Sequence, residues 1–104
     1  MPSELILTEN MSDDFTEVKV VGEVDIYTSK QFKEKLYSVL ESSGTDLKID
    51  CSELKYIDST GLGILVGTLK KAKLKGNNVY ITGLKDNIKK LFLITGLDKL
   101  FFIE

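Results

Sequence analysis

From Phe15 to the C-terminus the chain switches repeatedly between two hydropathy periods. Runs in which every second residue is apolar give way to longer runs whose apolar residues lie three and four apart. Such a pattern commits the chain to strands and helices in turn, and helices interleaved with strands favour a largely parallel sheet with right-handed crossovers. The strands are only half apolar. Glu17, Lys19, Lys48, Asp50, Tyr80 and Thr82 interrupt them, whereas a sheet covered on both faces reads as unbroken hydrophobic runs. The expected fold class is therefore α/β, a mostly parallel mixed sheet with helices packed mainly on one face. With 104 residues and no repeat or linker, residues 1–104 read as a single domain.

The elements follow one by one. Leu5 to Thr8 and Phe15 to Val24 flank Asn10-Met11-Ser12-Asp13-Asp14, whose side chains carry turn chemistry, and predict an N-terminal β-hairpin. Thr28 with Gln31 three residues later predicts a capping box, and Tyr27 and Phe32 occupy the staple positions around it. A helix over about Ser29 to Ser43 follows, with Phe32, Leu36, Val39 and Leu40 as its stripe and Gly44 at the position of a left-handed cap. Asp46 to Cys51 alternates as a strand, and Ser52 to Asp58 reads as a connection. From Ser59 a second helix carries Leu62, Leu65, Val66, Leu69 and Ala72 until Gly76-Asn77-Asn78. Val79 to Thr82 is a strand. Asp86 caps a third helix, lined by Ile88, Leu91, Phe92 and Thr95 and ended by Gly96, and Leu100 to Ile103 is a last short strand.

Composition removes whole classes of chemistry. There is no histidine, which excludes Ser-His-Asp and Cys-His catalysis and imidazole metal sites. All fourteen basic residues are lysine, so the forked arginine donor favoured by nucleic-acid readers is missing, and no nucleic-acid partner is expected. The single cysteine, Cys51, forms neither an internal disulfide nor a multi-thiolate site and fits a reducing compartment. Met1-Pro2-Ser3-Glu4-Leu5 lacks the pattern of an export signal, and no run approaches the roughly 18 apolar residues of a membrane span. A cytoplasmic protein without membrane partner, metal or cofactor is expected.

One segment breaks the local rules. Asp58-Ser59-Thr60-Gly61-Leu62-Gly63-Ile64 places two glycines in the first turns of a helix, each costing up to about 1 kcal/mol relative to alanine. Violations of local consistency mark candidate functional sites, and glycine permits close approach of another molecule. Ser59 stands at the expected N-cap, and Asp58 complements the helix dipole. On a helical wheel Ile64 falls about 160° from the centre of the apolar stripe. With Gly63 and Gly67 beside it, it offers either a patch for a partner helix or a face for another helix of the same fold. A phosphate cradle is disfavoured, because no lysine falls in the turn and Asp58 repels anions. Asp25 and Asp58 could also pair as a magnesium site or an acid and base, a reading placed below an interaction role.

These residues resemble the STAS-domain anti-sigma factor antagonists, small bacterial partner-switching proteins. Gly22-Glu23-Val24-Asp25 and Asp58-Ser59-Thr60-Gly61-Leu62-Gly63 carry the likeness, with Lys90-Leu91-Phe92 and Thr95-Gly96-Leu97 extending it to the C-terminus. The resemblance implies a STAS-like fold and a serine, here Ser59, phosphorylated by an anti-sigma factor that is itself an ATP-dependent serine kinase; Thr60 is the neighbouring hydroxyl. It further implies that the unmodified chain binds this kinase and frees a sigma factor, that phosphorylation abolishes binding, and that a metal-dependent serine phosphatase restores it. The chain is then no enzyme. Asp25, Asp58, Thr60, Gly61, Leu62, Gly63 and Ile64 are the expected partner-binding residues. Where relatives use arginine on the second helix, this chain has Thr68, Lys70 or Lys71. The alternative is a STAS-domain switch or ligand-binding module regulating a target other than a sigma pathway.

Overall fold

A computed structural model describes residues Ser3–Glu104; Met1 and Pro2, part of the segment read as carrying no export signal, lie outside the described residues. The elements run β1 (Leu5–Met11), β2 (Phe15–Val24), α1 (Ser29–Ser42), β3 (Asp46–Ile57), α2 (Ser59–Leu74), β4 (Val79–Thr82), α3 (Asp86–Thr95), a 3-10 turn (Leu97–Lys99) and β5 (Phe102–Ile103). The strands form one five-stranded sheet in sequence order, with β1 antiparallel to β2 and the remaining neighbours parallel. This is the α/β mixed sheet with an N-terminal hairpin expected from the pattern.

Burial follows the pleat. Thr16, Val18 and Val20 on β2, Leu47, Ile49 and Cys51 on β3, and Val79 and Ile81 on β4 all face one side. There they join Phe32, Leu36, Val39 and Leu40 of α1, Leu62, Leu65, Leu69 and Ala72 of α2, and Ile88 and Phe92 of α3 in a single core. The opposite face carries the interrupting polar residues. On it Lys48 Nζ lies 4.2 Å from the Phe15 ring centroid, and Tyr80 stacks on Phe102 at 5.0 Å.

Several local expectations are corrected, each because a tertiary partner outcompetes the local one. Thr28 makes no side-chain cap; its hydroxyl donates to the Glu23 carbonyl at 2.8 Å and accepts from the Asp25 N–H at 3.0 Å. Gln31 donates to the Leu5 carbonyl at 3.0 Å, so the capping box does not form. Tyr27, expected in a staple, is 82% exposed. Gly44 is not left-handed; Ser43 closes α1 in an extended conformation, its N–H on the Val39 carbonyl and its hydroxyl 2.7 Å from that of Thr45. Asp86 is the first helical residue of α3 and not its cap, and Leu91 and Thr95 are exposed. Gly96, by contrast, takes the left-handed cap as expected, with φ 76°.

The largest correction concerns Ser52 to Ile57, which extends β3 and is not a connection. Past Cys51 its buried residues are Leu54 and Ile57, a spacing of three that hides the alternation. Register shifts between Lys19 and Val21 and between Gly22 and Glu23 absorb the irregularity on β2. Gly22 sits at φ 117°, and a Cβ there would lie 2.2 Å from the Glu4 carbonyl oxygen. Only glycine lets the segment before β1 cross so closely.

The two early glycines of α2 have different reasons. A Cβ on buried Gly61 would meet Ile57 Cγ1 at 2.6 Å and Val24 Cγ1 at 2.7 Å, whereas one on Gly63 meets nothing within 4 Å. Gly61→Ala is therefore expected to lower stability by about 1–3 kcal/mol through overpacking. Gly63→Ala should raise it by up to about 1 kcal/mol through helix propensity. Urea unfolding of the two variants checks this, and equal effects would refute the packing assignment.

Candidate functional site

The site forms where β2 and β3 end side by side. Val24 pairs with Ile57 in parallel register, and the next residue, Asp58, donates its N–H to the Val24 carbonyl at 3.2 Å. The two turns that follow, Asp25–Thr28 and Asp58–Ser59, are thereby pinned together at the C-terminal ends of parallel strands, where α/β sheets commonly present functional groups.

Asp58 is the N-cap of α2. Its backbone is extended, and Oδ1 accepts the Gly61 N–H at 3.1 Å. Ser59, expected to be the cap, is instead the first helical residue and is exposed, as is Thr60. This correction changes the chemistry available. A cap serine has its oxygen engaged by the backbone, but here the carboxylate performs that task and the hydroxyl faces solvent at the positive end of a sixteen-residue helix.

The other expected site residues divide. Gly61 and Leu62 are buried in the core, so neither belongs to the outer surface. Gly63 is exposed with open space above it. Ile64, expected to point outward, is only partly exposed and packs against the core, and Tyr37 of α1 places its hydroxyl 2.5 Å from the position a Cβ on Gly67 would take. The first helix of the fold thus covers part of the face of α2 that the wheel left open, and Gly63 remains as its free portion.

Asp25 is tied inward. Oδ1 accepts the N–H groups of Tyr27 at 2.9 Å and Thr28 at 3.3 Å, and the Ser3 hydroxyl donates to Oδ2. That hydroxyl bond, foremost, and the two amides hold the Asp25 carboxyl below its ordinary value against an opposing effect of burial. Its ionised form therefore favours the fold above the ordinary aspartate range, and this contribution fades as pH falls through the lowered value. Sequence reasoning missed the bonds that the Ser3 hydroxyl and the Tyr27 amide make to Asp25, for which a residue 22 positions away gives no local signal.

Other chemistry finds little footing. Among the described residues no group of three or more His, Cys, Asp or Glu side chains is placed to hold a metal ion. Burial, reinforced by neighbouring Asp50, pushes the Cys51 thiol up to about 12, which keeps it protonated and unreactive at neutral pH. Two surface grooves of about 440 and 460 Å³ run along α1, and neither is lined by Asp25 or any residue of Asp58–Ile64. No helix of the described residues is long and apolar enough to cross a membrane.

The STAS domain family matches residues 8–104. An anti-sigma-B factor antagonist of Staphylococcus epidermidis is 43% identical over 92 residues, which cover 88% of this chain and 85% of the relative. A solved anti-sigma factor antagonist from Mycobacterium paratuberculosis superposes with a TM-score of 0.82 at 28% identity, over 96% of this chain and 85% of that one. The antagonist SpoIIAA gives 0.74 in its unphosphorylated form, at 14% identity and over 95% of this chain and 87% of that one. Its phosphorylated form, from Bacillus, also gives 0.74, at 16% identity and over 95% and 91%. The chain belongs to the STAS-domain family, among the anti-sigma factor antagonists.

Exchanging the two candidates for the cap gives a direct measurement. Asp58→Ala should cost about 1 kcal/mol of stability as a lost N-cap. Ser59→Ala should stay within about 0.5 kcal/mol, as surface substitutions do. Denaturant titration showing the larger loss for Ser59→Ala would return the cap to the serine.

Proposed function

We propose that this chain binds an anti-sigma factor when unmodified, so releasing a sigma factor, and that phosphorylation of Ser59 by that factor, acting as an ATP-dependent serine kinase, breaks the complex. A metal-dependent serine phosphatase resets it. The observation that carries this reading is the solvent-facing Ser59 hydroxyl on the first turn of α2, freed from capping by Asp58. The chain acts as substrate and binding module, not as an enzyme, within the cytoplasm. The 43% identity to an anti-sigma-B factor antagonist supports the sigma pathway over another target.

Physical chemistry supports such a gate. A phosphate brings about −1.5 to −2 charges and three acceptor oxygens, and the free amides of a helix N-terminus accommodate it. The equal likeness to unphosphorylated and phosphorylated SpoIIAA agrees with a fold that survives the modification. Release must then arise at the partner surface. Two phosphate charges about 6 Å from one partner carboxylate repel by roughly 5 kcal/mol at an effective dielectric of 20, before screening. Each 1.4 kcal/mol is tenfold in affinity. Asp58 and Thr60 border the modified group, Gly63 with the exposed part of Ile64 supplies the flat contact, and Gly61 and Leu62 seat the helix beneath it.

Incubation with an anti-sigma-B factor and ATP should place one phosphoryl group on Ser59, seen by peptide mass spectrometry and lost in Ser59→Ala. Ser59→Asp should weaken binding at least tenfold while Ser59→Ala keeps it. With nucleotide alone, neither hydrolysis nor modification is expected. If Ser59→Asp stays folded and binds as tightly as the parent, charge at this position is not the gate.

A further inference from the structure

Ile26 and Tyr27 are adjacent, 72% and 82% exposed, and stand in the turn between β2 and α1. Exposed apolar residues are ordinary when scattered singly. These two are neither scattered nor loosely held. Asp25 Oδ1 accepts the Tyr27 N–H, Thr28 N–H donates to both Asp25 Oδ1 and the Asp25 carbonyl, and the nearly buried Thr28 hydroxyl bonds to Glu23. The Ser3 hydroxyl closes the clamp from outside on Oδ2. The turn is thus fixed before any partner arrives, which lowers the ordering cost of binding.

Its position is as telling as its rigidity. Tyr27 lies three residues beyond Val24 and Ser59 one beyond Asp58, and the Val24 carbonyl and Asp58 N–H are bonded to each other at 3.2 Å. The apolar pair and the Ser59 hydroxyl therefore leave the same rim of the sheet. Of the other exposed aromatics, Phe102 is engaged by its stack on Tyr80, and Tyr56 stands singly within β3.

We propose that Ile26 and Tyr27 are the apolar anchor that enters a pocket on the anti-sigma factor beside Ser59, and that Asp25 is a positioning residue for this anchor rather than a partner contact. The inference rests on the function proposed above and deepens it. It also accounts for the sensitivity of the complex to one phosphate. Seating the anchor draws the neighbouring Ser59 into the desolvated rim, where a dianion without a pairing charge is costly. Tyrosine suits this role, since buried aromatic anchors dominate interface energetics.

The test uses the purified full chain and the purified anti-sigma-B factor of Staphylococcus epidermidis in a calorimetric titration. Ile26→Ala and Tyr27→Ala should each weaken binding at least tenfold with an unchanged melting temperature. Asp25→Ala should weaken binding and speed hydrogen exchange at the Tyr27 and Thr28 amides. Asp25→Asn, which keeps the Oδ1 acceptor, should restore most of both. Binding of both alanine variants within twofold of the parent would overturn the anchor. If Asp25→Asn fails as badly as Asp25→Ala while its turn amides stay protected, Asp25 acts through its charge on the partner and the positioning role falls. Should the parent chain itself not bind, the function proposed above fails, and the anchor with it.

Discussion

Val24 and Ile57 finish two parallel strands at the same level, and the bond from Asp58 N–H to the Val24 carbonyl carries that pairing one step past the sheet. Everything at the candidate site depends on this junction. It makes neighbours of two turns that are more than thirty residues apart in sequence, and it sets where α2 begins. The space allowed there is narrow, because Gly61 rides directly on Val24 and Ile57. A side chain at Gly61 would push the helix outward and take Ser59 with it. The same strand end also needs Gly22, whose positive φ admits the Glu4 carbonyl and brings Ser3 to Asp25. Two glycines of the motifs therefore act through geometry rather than contact.

The sheet's second face bears on why the proposed working surface lies at the strand ends. With the three helices of the described residues on one side, Phe15, Tyr80 and Phe102 stand on a face that none of them covers. The chain engages their rings itself. Lys48 places its ammonium 4.2 Å from the Phe15 ring centroid and 6.0 Å from that of Tyr80, and Tyr80 and Phe102 lie 5.0 Å apart as a stack. Long lysine stems shield apolar surface while their charges stay in water. A partner would have to displace contacts already made, whereas the turn at Ile26 and Tyr27 offers apolar surface with no such competition.

Much of the architecture was legible because hydrophobic period is a local signal that tertiary packing reinforces. The order of elements, the half-apolar strands and the stripe of α1 all emerge from it. The failures cluster where a polar side chain had two possible partners. Thr28 and Gln31 have the spacing of a capping box, yet the Glu23 and Leu5 carbonyls, invisible as neighbours in sequence, claim both. Ser59 looks as good a cap as Asp58, and only the extended backbone of Asp58 decides between them. The end of β3 was hidden because its buried residues at Cys51, Leu54 and Ile57 are spaced by three, which no strand template matches. The motif Asp58 to Gly63 was found as an anomaly, but sequence could not divide its glycines. Gly61 has a packing reason and Gly63 has none among the described residues, so the anomaly narrows to one exposed position.

That division bears on how a switch of this kind can work. A modification that unfolded α2 would have to overcome its packing through Leu62, Leu65 and Leu69, and the modified chain would lose the core. Placing the hydroxyl on the first helical residue avoids this conflict. The dipole and free amides of the first turn stabilise an added anion, typically by a few tenths to 1 kcal/mol at an exposed site. In the proposed switch folding and binding can therefore respond differently to one phosphate, the helix end offsetting its repulsion from Asp58 in the free chain while the complex is disfavoured. Capping by Asp58 makes the separation possible, since a serine that also capped the helix could not be modified without disturbing the backbone it holds. The fold spends a carboxylate on the cap and leaves the hydroxyl exposed.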